Sequence, residues 1–419
     1  VTAADAGIVF TNHVAPERYL TNQIYLNGSG VALGDVNGDG WPDLFLAAPQ
    51  GRSALYLNAG HWKFSDATRA GFPGGFPAVD ATGVVFADLD GDGDLDLVVN
   101  SIGQGTLLWW NNGRGEFSAG PVLNPGRAGM SLALADADGD GDLDLYVANY
   151  RANSLRDDPA AKFTMRTEDG RTRVVAYNGR STSEPDLIGR FYLTPVGVKE
   201  NGEPDALFLN EGGGKFTPVS WTGGAFLDAA GKPLSAEPHD WGLSVMFRDV
   251  TGDGRPDLYV ANDFESPDRF WINETPAGGA LRFRAASPET LRHTSAFAMG
   301  VDAADVNRDG VDDFLVLDML SRDHRERNVQ VDGLPLTPSE PGSFLDTLQF
   351  SANTLFLGRG DGTFAEIAGF AGLTASEWAW QPLFLDVDLD GYEDLLITSG
   401  YPHDVQDMDA EVQVQARGM

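Results

Sequence analysis

Residues 88–96 read Asp-Leu-Asp-Gly-Asp-Gly-Asp-Leu-Asp, and five further copies of this acidic nine-residue pattern begin at Asp35, Asp136, Asp249, Asp305 and Asp386. A short run with small residues precedes each copy, and an apolar run of strand length follows it. Oxygen-bearing side chains at positions 1, 3, 5 and 9, with a glycine at position 6 that permits a sharp turn, suit a hard cation of the size of calcium. The pattern therefore predicts about six Ca²⁺ sites, one in each copy.

The predicted ligands of each copy are the side chains at positions 1, 3, 5 and 9 and the backbone carbonyl near position 7. In chain order they are Asp35, Asn37, Asp39, Trp41 and Asp43; Asp88, Asp90, Asp92, Asp94 and Asp96; Asp136, Asp138, Asp140, Asp142 and Asp144; Asp249, Thr251, Asp253, Arg255 and Asp257; Asp305, Asn307, Asp309, Val311 and Asp313; and Asp386, Asp388, Asp390, Tyr392 and Asp394. Calcium is the only cofactor that the sequence predicts, and no catalytic residue is assigned.

An EF-hand loop begins in the same way, but it requires a bidentate Glu at position 12 and a helix on each side. Position 12 is apolar in all six copies, and it is occupied by Leu46, Val99, Val147, Val260, Val316 and Ile397. The runs that follow the motif are rich in β-branched residues, so each loop is expected to join two strands. Plain solvated turns are the other alternative, and the recurrence of one spacing six times disfavours them.

Each acidic loop lies inside a longer repeat. A hairpin with Asn or Gly before its turn and Phe after it recurs at residues 55–64, 108–117, 207–216 and 355–364, with a stretched version at 271–283. The first three motifs begin 53 and 48 residues apart. Four strands in a unit of about 50 residues predict the blade of a β-propeller. We expect one all-β domain over residues 1–419, with six or seven four-stranded blades, a calcium loop between strands 1 and 2 of a blade, and insertions at about 150–204 and 321–353.

Three stretches carry a resemblance to a known family: residues 7–40, from GIVFTNHV to GDVNGDG; residues 202–216, GEPDALFLNEGGGKF; and residues 376–405, from SEWAWQPLF to GYPHDV. The chain resembles the FG-GAP/VCBS propeller repeats of integrin α-subunits and, more closely, the bacterial relatives of cartilage acidic protein. The resemblance covers nearly the whole chain. In that family a further hairpin, another acidic motif and an ASPIC/UnbV domain usually follow; residues 1–419 do not include them, so we expect either a shortened member or a fragment of a longer chain. We expect the run from Ala6 to Thr11 to close the propeller as an outer strand beside late strands.

The composition sets limits on partners and compartment. The chain has 419 residues, no Cys and a formal net charge of −33. Nucleic acid and anionic membrane surfaces are therefore poor partners on electrostatic grounds. No stretch is long and apolar enough to span a membrane, which predicts no direct membrane insertion. Calcium sites with Kd on the order of 10⁻⁴–10⁻³ M fill outside a cell, so we expect a secreted, periplasmic or cell-surface protein whose mature form begins at Val1.

The two insertions are the predicted partner surface. They far exceed the common connection of about 4–6 residues, and such loops are usually functional or disordered. The first insertion carries five arginines, Arg151, Arg156, Arg166, Arg171 and Arg173, in a chain that is otherwise acidic. The sequence thus favours a calcium-stabilised scaffold or interaction module that binds an extracellular or envelope protein or a polysaccharide. A lectin-like glycan binder and a polysaccharide lyase or hydrolase stay as alternatives, and an enzyme is the less favoured class.

Overall fold

Strands dominate the computed structural model, which describes residues 1–77, 79–194, 197–263, 266–330, 348–400 and 413. The predicted all-β class is confirmed. The chain divides into two compact units: residues 1–134, 141–219 and 238–242 form the first, and residues 135–140, 220–237 and 243–419 form the second. The described helices are short, α1 (Ala3–Ala6), α2 (Pro16–Tyr19), α3 (Thr68–Gly71), α4 (Pro288–Leu291), α5 (His324–Gln330) and α6 (Ala368–Ala371), with 3₁₀ turns at Gln23–Asn27 and Leu155–Asp157. Within the described ranges, no helix combines the length and apolar character needed to cross a membrane.

The strands up to the end of the third repeat are β1 (Val31–Gly34), β2 (Asp43–Leu46), β3 (Ala54–Asn58), β4 (Phe64–Asp66), β5 (Ala81–Ala87), β6 (Asp96–Ser101), β7 (Gly105–Asn111), β8 (Phe117–Leu123), β9 (Gly129–Ala135), β10 (Asp144–Asn149), β11 (Phe163–Glu168), β12 (Arg171–Tyr177), β13 (Arg180–Ser181), β14 (Phe191–Thr194), β15 (Gly197–Glu200), β16 (Ala206–Asn210) and β17 (Phe216–Pro218). They form three four-stranded sheets, ordered β1-β2-β3-β4, β5-β6-β7-β8 and β9-β10-β16-β17. In each sheet an acidic motif joins the first two strands, as predicted.

The remaining strands are β18 (Phe226–Leu227), β19 (Gly242–Arg248), β20 (Asp257–Asn262), β21 (Arg269–Asn273), β22 (Phe283–Ala285), β23 (His293–Ser295), β24 (Gly300–Ala304), β25 (Asp313–Leu317), β26 (Leu348–Phe350), β27 (Thr354–Gly358), β28 (Phe364–Glu366), β29 (Ala379–Leu385) and β30 (Asp394–Ser399). Strands β19-β20-β21-β22 and β24-β25-β27-β28 repeat the four-strand order, and β18 adds in parallel to β22. The sixth motif joins a two-stranded sheet, β29-β30. The number of blades and the closure of a propeller stay predictions.

The second strand of each complete sheet is buried on both faces. In β6, Leu97, Val98 and Val99 have no exposed surface. Continuous apolar runs of this kind are typical of strands that are covered on both sides. In the first unit, Phe45 and Phe86 lie in one core cluster that draws on the first and second sheets. The apolar run after each of the first five motifs is therefore a core strand, and it fixes the position of the acidic loop at its start.

The prediction for the run from Ala6 to Thr11 is wrong. Residues 8–11 form no strand, and the run lies against the first sheet, where Ile8 and Phe10 pack on a cluster with Leu44 and Tyr56. The Tyr56 hydroxyl accepts from the Val9 amide at 3.2 Å and donates to the Val9 carbonyl at 2.8 Å. Because a side chain occupies both backbone groups of Val9, that residue does not pair in a ladder at this point.

Both predicted insertions contain secondary structure. Residues 150–204 hold a three-stranded sheet, β11-β12-β13, and a hairpin, β14-β15. Residues 321–353 hold α5 and β26, which pairs in parallel with β23. Residues 331–347 of the second insertion and the GYPHDV segment from residue 401 onward lie outside the described residues.

Candidate functional site

The carboxylate at position 1 organises every acidic loop. In the first copy, Asp35 Oδ1 accepts from the amides of Gly38 and Asp39 at 2.8 and 3.1 Å, and Oδ2 accepts from the Gly40 amide at 2.7 Å. The other five copies repeat this contact to amides at positions 4, 5 or 6. The position 6 glycines all have φ between 84° and 98°, a region that a glycine enters without steric cost. The predicted sharp turn is therefore present in all six loops.

The carboxylate at position 9 joins each loop to its sheet. In the first copy, Asp43 Oδ2 accepts from the Val36 amide at 3.0 Å, and Oδ1 accepts from the Asn58 amide of the hairpin strand at 2.8 Å. The hairpin amide makes the same contact in the next four copies, from Asn111 to Asp96, Asn210 to Asp144, Asn273 to Asp257 and Gly358 to Asp313, at 2.8–2.9 Å. These five carboxylates are at most 1% exposed, whereas Asp394 of the sixth copy is exposed.

Oxygens at positions 1, 3 and 9 converge in the second and sixth loops. One oxygen each from Asp88, Asp90 and Asp96 lie within 4.8 Å of one another, and Asp386, Asp388 and Asp394 form an equivalent group. Oxygens that share one Ca²⁺ at about 2.3–2.6 Å lie within about 5 Å of one another. The donor set is oxygen alone, which suits a hard cation. The residues present therefore fit calcium.

The carboxylate at position 5 accepts a hydrogen bond from the backbone amide at position 7. In the first copy, Asp39 Oδ1 accepts from the Trp41 amide at 2.9 Å. The second, fourth, fifth and sixth copies make the same contact to the amide at position 7. These bonds tie positions 5 and 7 together. Metal ligation by positions 5 and 7 stays a prediction. At position 7 the predicted ligands are the backbone carbonyls of Trp41, Asp94, Asp142, Arg255, Val311 and Tyr392.

The fourth loop differs in charge from the others. Thr251 replaces an acidic or amide side chain at position 3, and Arg255 at position 7 forms an ion pair with Asp253. Arg255 also donates from Nε to the Asn273 carbonyl at 2.8 Å. The guanidinium of Arg255 neutralises part of the negative charge of the Asp253 carboxylate, which would otherwise attract a cation.

Burial makes the position 9 carboxylates costly to ionise. It raises the pKa of Asp96 and that of Asp257 to about 6, and it raises the pKa of Asp43 and that of Asp313 as well. In Asp43 and Asp313, the carboxylates at positions 1 and 5 add like-charge repulsion to burial. A divalent cation at the centre of the loop would supply the opposite charge that stabilises the ionised form.

A second repeated contact closes the opposite end of two sheets, and sequence reasoning missed it. The Asn149 amide donates to Asp205 Oδ1 at 2.7 Å, the Tyr146 hydroxyl donates to Asp205 Oδ2 at 2.8 Å, and Asn149 Nδ2 donates to the Pro204 carbonyl at 2.7 Å. Asn262, Tyr259 and Asp268 repeat all three contacts, with Pro267 as the acceptor, at 2.7–2.9 Å. The signal in the sequence is the shared run DLYVAN followed, after different distances, by Pro-Asp.

The two residues of this contact, Asn149 and Asp205, flank the first insertion. In the fourth repeat only residues 263–267 separate the Asn from the Asp, whereas residues 150–204 separate them in the third. The insertion is thus an additional segment between an Asn and an Asp that make the same hydrogen bonds in both repeats. The sheet that carries it is closed in the same way as the sheet that lacks it.

The base of the insertion is a buried ion cluster. Arg190 donates from Nε to Glu200 Oε1 at 2.7 Å, and Arg151 Nε lies 3.3 Å from the same oxygen. Arg151 also donates to the Asn201 carbonyl at 2.9 Å, and it is 4% exposed. Burial lowers the pKa of Arg151 to about 10. The prediction that Arg151 attracts a partner is wrong, because its guanidinium is enclosed in the insertion.

The other predicted arginines of β11 and β12 are exposed on one face of the insertion. Arg166 stands directly opposite Arg173, and Glu168 stands opposite Arg171. Residues opposite each other or two apart along a strand share a face, so three guanidiniums and one carboxylate lie on this surface. Arg166 forms an exposed ion pair with Glu168 at 3.5 Å. We call these four residues the arginine face.

A family model described as FG-GAP-like repeat matches residues 35–99, 88–147, 249–316 and 346–397. These segments include all six acidic motifs and together cover more than half of the chain. The match thus falls on the loops and sheets described above.

Curated relatives match a large part of the chain. Cartilage acidic protein 1 of Xenopus tropicalis is 34% identical over 326 residues, covering 71% of this chain and 49% of that protein. The mouse protein of the same name is 27% identical over 334 residues, covering 71% of this chain and 49% of the relative. The chain therefore spans about half the length of these relatives.

Solved structures show a limited likeness. An ancestral GH74 enzyme is 12% identical with a TM-score of 0.40, covering 88% of this chain and 34% of that one. A lectin of Agrocybe aegerita that recognises non-reducing terminal N-acetylglucosamine is 18% identical with a TM-score of 0.34, covering 80% and 78%. The V. cholerae biofilm matrix protein Bap1 is 13% identical with a TM-score of 0.34, covering 91% and 67%.

Proposed function

The chain belongs to the FG-GAP-like repeat family, and on that premise we propose that it is a calcium-stabilised interaction module that acts outside the cytoplasm. Its first insertion binds an anionic partner, a polysaccharide or an acidic protein. The observation that carries this proposal is the arginine face, which is exposed on a chain with a formal net charge of −33.

The charge of the insertion separates it from the rest of the chain. Residues 150–204 contain nine Lys and Arg against eight Asp and Glu, whereas the whole chain contains 29 against 62. Charges cluster further on the arginine face, where Arg166 and Arg173 are direct cross-strand neighbours. Like charges directly opposite each other destabilise a sheet. An anion bound at this face would offset that repulsion, which supports a binding role for the pair.

The architecture of the insertion supports the same role. Phe163, Tyr177 and Phe191 form an aromatic cluster with ring centroids 4.8–5.5 Å apart, and Arg190 lies over two of these rings. A packed base of this kind holds β11 and β12 in a fixed shape. Sites on ordered strands keep their side chains in place better than sites on free loops.

The calcium loops provide stability in this proposal. Each of the first five acidic loops begins a core strand, so a cation that neutralises the loop also secures the sheet behind it. Without a cation, the carboxylates at positions 1, 3 and 9 of the second and sixth loops lie close enough for strong mutual repulsion. Calcium is abundant outside cells and scarce in cytosol, which favours an extracytoplasmic setting.

Charge reversal on the arginine face tests the binding role. The variant carries Arg166→Glu, Arg171→Glu and Arg173→Glu, and its matched control carries Arg114→Glu, Arg282→Glu and Arg359→Glu, three exposed arginines outside the insertion. Both change the net charge equally. Retention on heparin-agarose and on immobilised poly-glutamate is measured in millimolar CaCl₂. We expect only the first variant to lose retention. Stronger retention of the unmodified chain on heparin would indicate a polysaccharide partner, and stronger retention on poly-glutamate would indicate an acidic protein.

Equal retention of the two variants, or loss in both, would reject the arginine face as the binding surface. Depolymerisation of a polysaccharide by the unmodified chain would instead favour an enzyme.

A further inference from the structure

Strand β11 of the first insertion lies at an open edge of its sheet. The sheet has the order β11-β12-β13, so β12 is the middle strand and β11 is an outer one. Within the ranges that the structure describes, no strand pairs with the outer side of β11. Five of its six residues are exposed. An open edge presents backbone amides and carbonyls to solvent, where another extended chain can pair with them.

The outer strands of the complete four-stranded sheets are better protected than β11. Strands β4, β17 and β28 have three residues each, and β8 contains Pro121, which has no amide donor. Strand β22 is covered by β18. Short length, proline and a covering element are usual ways in which a protein protects a sheet edge. Strand β11 has six residues and no proline, so among these outer strands it is the one most open to pairing.

The turn between β11 and β12 determines which backbone groups of β11 face outward. Asp169 and Gly170 have φ values of 50° and 75°, and they join Glu168 to Arg171 in a two-residue hairpin. In such a hairpin the flanking pair exchanges both backbone hydrogen bonds, and bonded and non-bonded pairs alternate from there. Thr167 therefore belongs to a non-bonded pair, and its amide and carbonyl point to the open edge.

A side-chain contact agrees with this alternation. The hydroxyls of Thr167 and Thr172 lie 2.9 Å apart, and side chains of a non-bonded pair approach each other more closely than those of a bonded pair. Met165 is two residues earlier on β11, opposite Val174. Its amide and carbonyl point outward for the same reason, so the edge offers two sets of backbone groups along β11.

The two faces of β11 differ in chemistry. Arg166 lies on the arginine face, opposite Arg173, whereas Met165 lies on the other face and is 47% exposed. A strand added at this edge would place alternate side chains on these two faces. Opposite charges on neighbouring strands attract each other, so acidic side chains fit beside Arg166 and apolar side chains fit beside Met165. The backbone of a polysaccharide has no regular series of amides and carbonyls to match the edge.

We propose that β11 binds an extended segment of an acidic protein by strand addition, with the acidic side chains of that segment on the arginine face. This inference rests on the proposed function, and it selects an acidic polypeptide over a polysaccharide as the partner. The backbone of the segment would pair with the outward groups of Met165 and Thr167. Strand addition at a sheet edge gives affinity through backbone hydrogen bonds and specificity through alternate side chains.

Two synthetic peptides of equal composition test the inference with the full chain. The first alternates, Val-Glu-Val-Glu-Val-Glu, and the second has the same residues in blocks, Val-Val-Val-Glu-Glu-Glu. Both are capped at their ends, so they have the same charge, and binding is measured by fluorescence anisotropy in millimolar CaCl₂. We expect the alternating peptide to bind about tenfold more tightly than the block peptide, as a few additional backbone hydrogen bonds would give.

A substitution in β11 tests the backbone pairing directly. Thr167→Pro removes an outward amide, and proline is accepted in an edge strand where the amide faces solvent. Thr172→Val is the matched control, because it breaks the same contact between hydroxyls and leaves the backbone of β11 intact. We expect only Thr167→Pro to weaken binding of the alternating peptide, by about tenfold. Retention on heparin-agarose should be kept in both variants, since the three exposed arginines are unchanged.

The outcomes separate this inference from the proposed function. Absence of peptide binding, equal binding of the two peptides, or equal binding by the two variants would overturn strand addition and leave the arginine face as a surface that binds by charge alone. Retention on heparin that survives Arg166→Glu, Arg171→Glu and Arg173→Glu together would instead reject the proposed function. A dimer of the unmodified chain that Thr167→Pro abolishes would also overturn the inference, because a second copy would then occupy the edge.

Discussion

The side-chain amide of Asn210 donates a hydrogen bond of 2.8 Å to the backbone carbonyl of Leu89, 121 residues earlier in the chain. Leu89 is position 2 of the second acidic loop, and Asn210 belongs to the hairpin of the third repeat. Asn111 makes the same contact to Val36 at 2.8 Å, and Asn273 makes it to Ala137 at 2.9 Å. Each of these asparagines thus holds its own sheet to its own loop through its backbone amide, and the preceding loop through its side chain.

Substitution Asn210→Ala should destabilise the fold. It leaves the Leu89 carbonyl without its donor, and a buried polar group that loses its partner costs about 1–3 kcal/mol. The free energy of unfolding is measured by urea denaturation in calcium-containing buffer. Asn112→Ala serves as the control, because Asn112 is exposed and its side-chain amide donates to Glu116. An equal effect of the two substitutions would contradict a structural role for the Asn210 contact.

Removal of calcium should lower the melting temperature by many degrees. A ligand at a hundredfold excess over its Kd stabilises the folded state by about 2.7 kcal/mol per site, and several loops contribute. Melting is compared in EDTA, in millimolar CaCl₂ and in millimolar MgCl₂. Magnesium should restore much less, since it prefers octahedral geometry and keeps its water. Identical melting curves in EDTA and CaCl₂ would mean that the loops are not structural calcium sites.

Asp90→Asn should have opposite effects with and without calcium. Asp90 makes one long hydrogen bond within its loop, accepting from the Asp92 amide at 3.3 Å, so the substitution chiefly removes a charge. In CaCl₂ the melting temperature should fall because a ligand is weakened. In EDTA it should rise or stay level because repulsion with Asp88 and Asp92 is relieved. Glu116→Gln, in an exposed hairpin, is the matched control, and a fall in both buffers would argue against a metal-binding role for Asp90.

Stability in EDTA should decrease as the pH rises from 6 to 9. Burial raises the pKa of Asp268 to about 8, above its value of about 3.9 in an unfolded chain. The folded state therefore binds this proton more tightly, and the resulting stability is fully present below pH 4 or so and is lost as the pH rises through about 8. The general repulsion of an acidic chain acts in the same direction. Asp268→Asn should make the slope of melting temperature against pH shallower, and parallel slopes for the two proteins would contradict the assignment.

Replacement of residues 150–204 by residues 263–267 should preserve the fold. The graft joins Asn149 to Asp205 with the connection that joins Asn262 to Asp268, and the two pairs have the same hydrogen bonds. Far-ultraviolet circular dichroism and calcium titration should match those of the unmodified chain, while retention on heparin-agarose is lost. Unfolding of the graft would show that the insertion is part of the core.

The acidic motif and the apolar runs around it were sufficient to predict the loops, the strands and the four-strand repeat. The loops and strands depend on residues that are close in sequence, which local patterns report, and the repeat follows from the spacing of the motif copies. The hairpin asparagines were visible as a repeated residue, but their side-chain partners were not. A contact such as Asn210 with Leu89 joins two repeats, and nothing in the spacing of either repeat specifies it.

Two sequence-based predictions were wrong because of tertiary contacts. Arg151 and the exposed Arg166 have the same residue type within one insertion, and only the fold separates an enclosed guanidinium from an open one. The Ala6–Thr11 run has an apolar pattern that fits a strand, yet the Tyr56 hydroxyl takes both backbone groups of Val9. Competition of this kind between a side chain and a ladder is a tertiary effect that local propensity does not contain.

The asparagine contacts impose a direction on biosynthesis. The loop that contains Val36 gains its last backbone partner only when Asn111 has been made, 75 residues later, and the loop that contains Ala137 must await Asn273, 136 residues later. Each of the first three acidic loops is therefore complete in sequence before the asparagine that secures it has been made. A pause of translation between repeats would leave such a loop without its side-chain donor, and the three contacts would form in the order of synthesis.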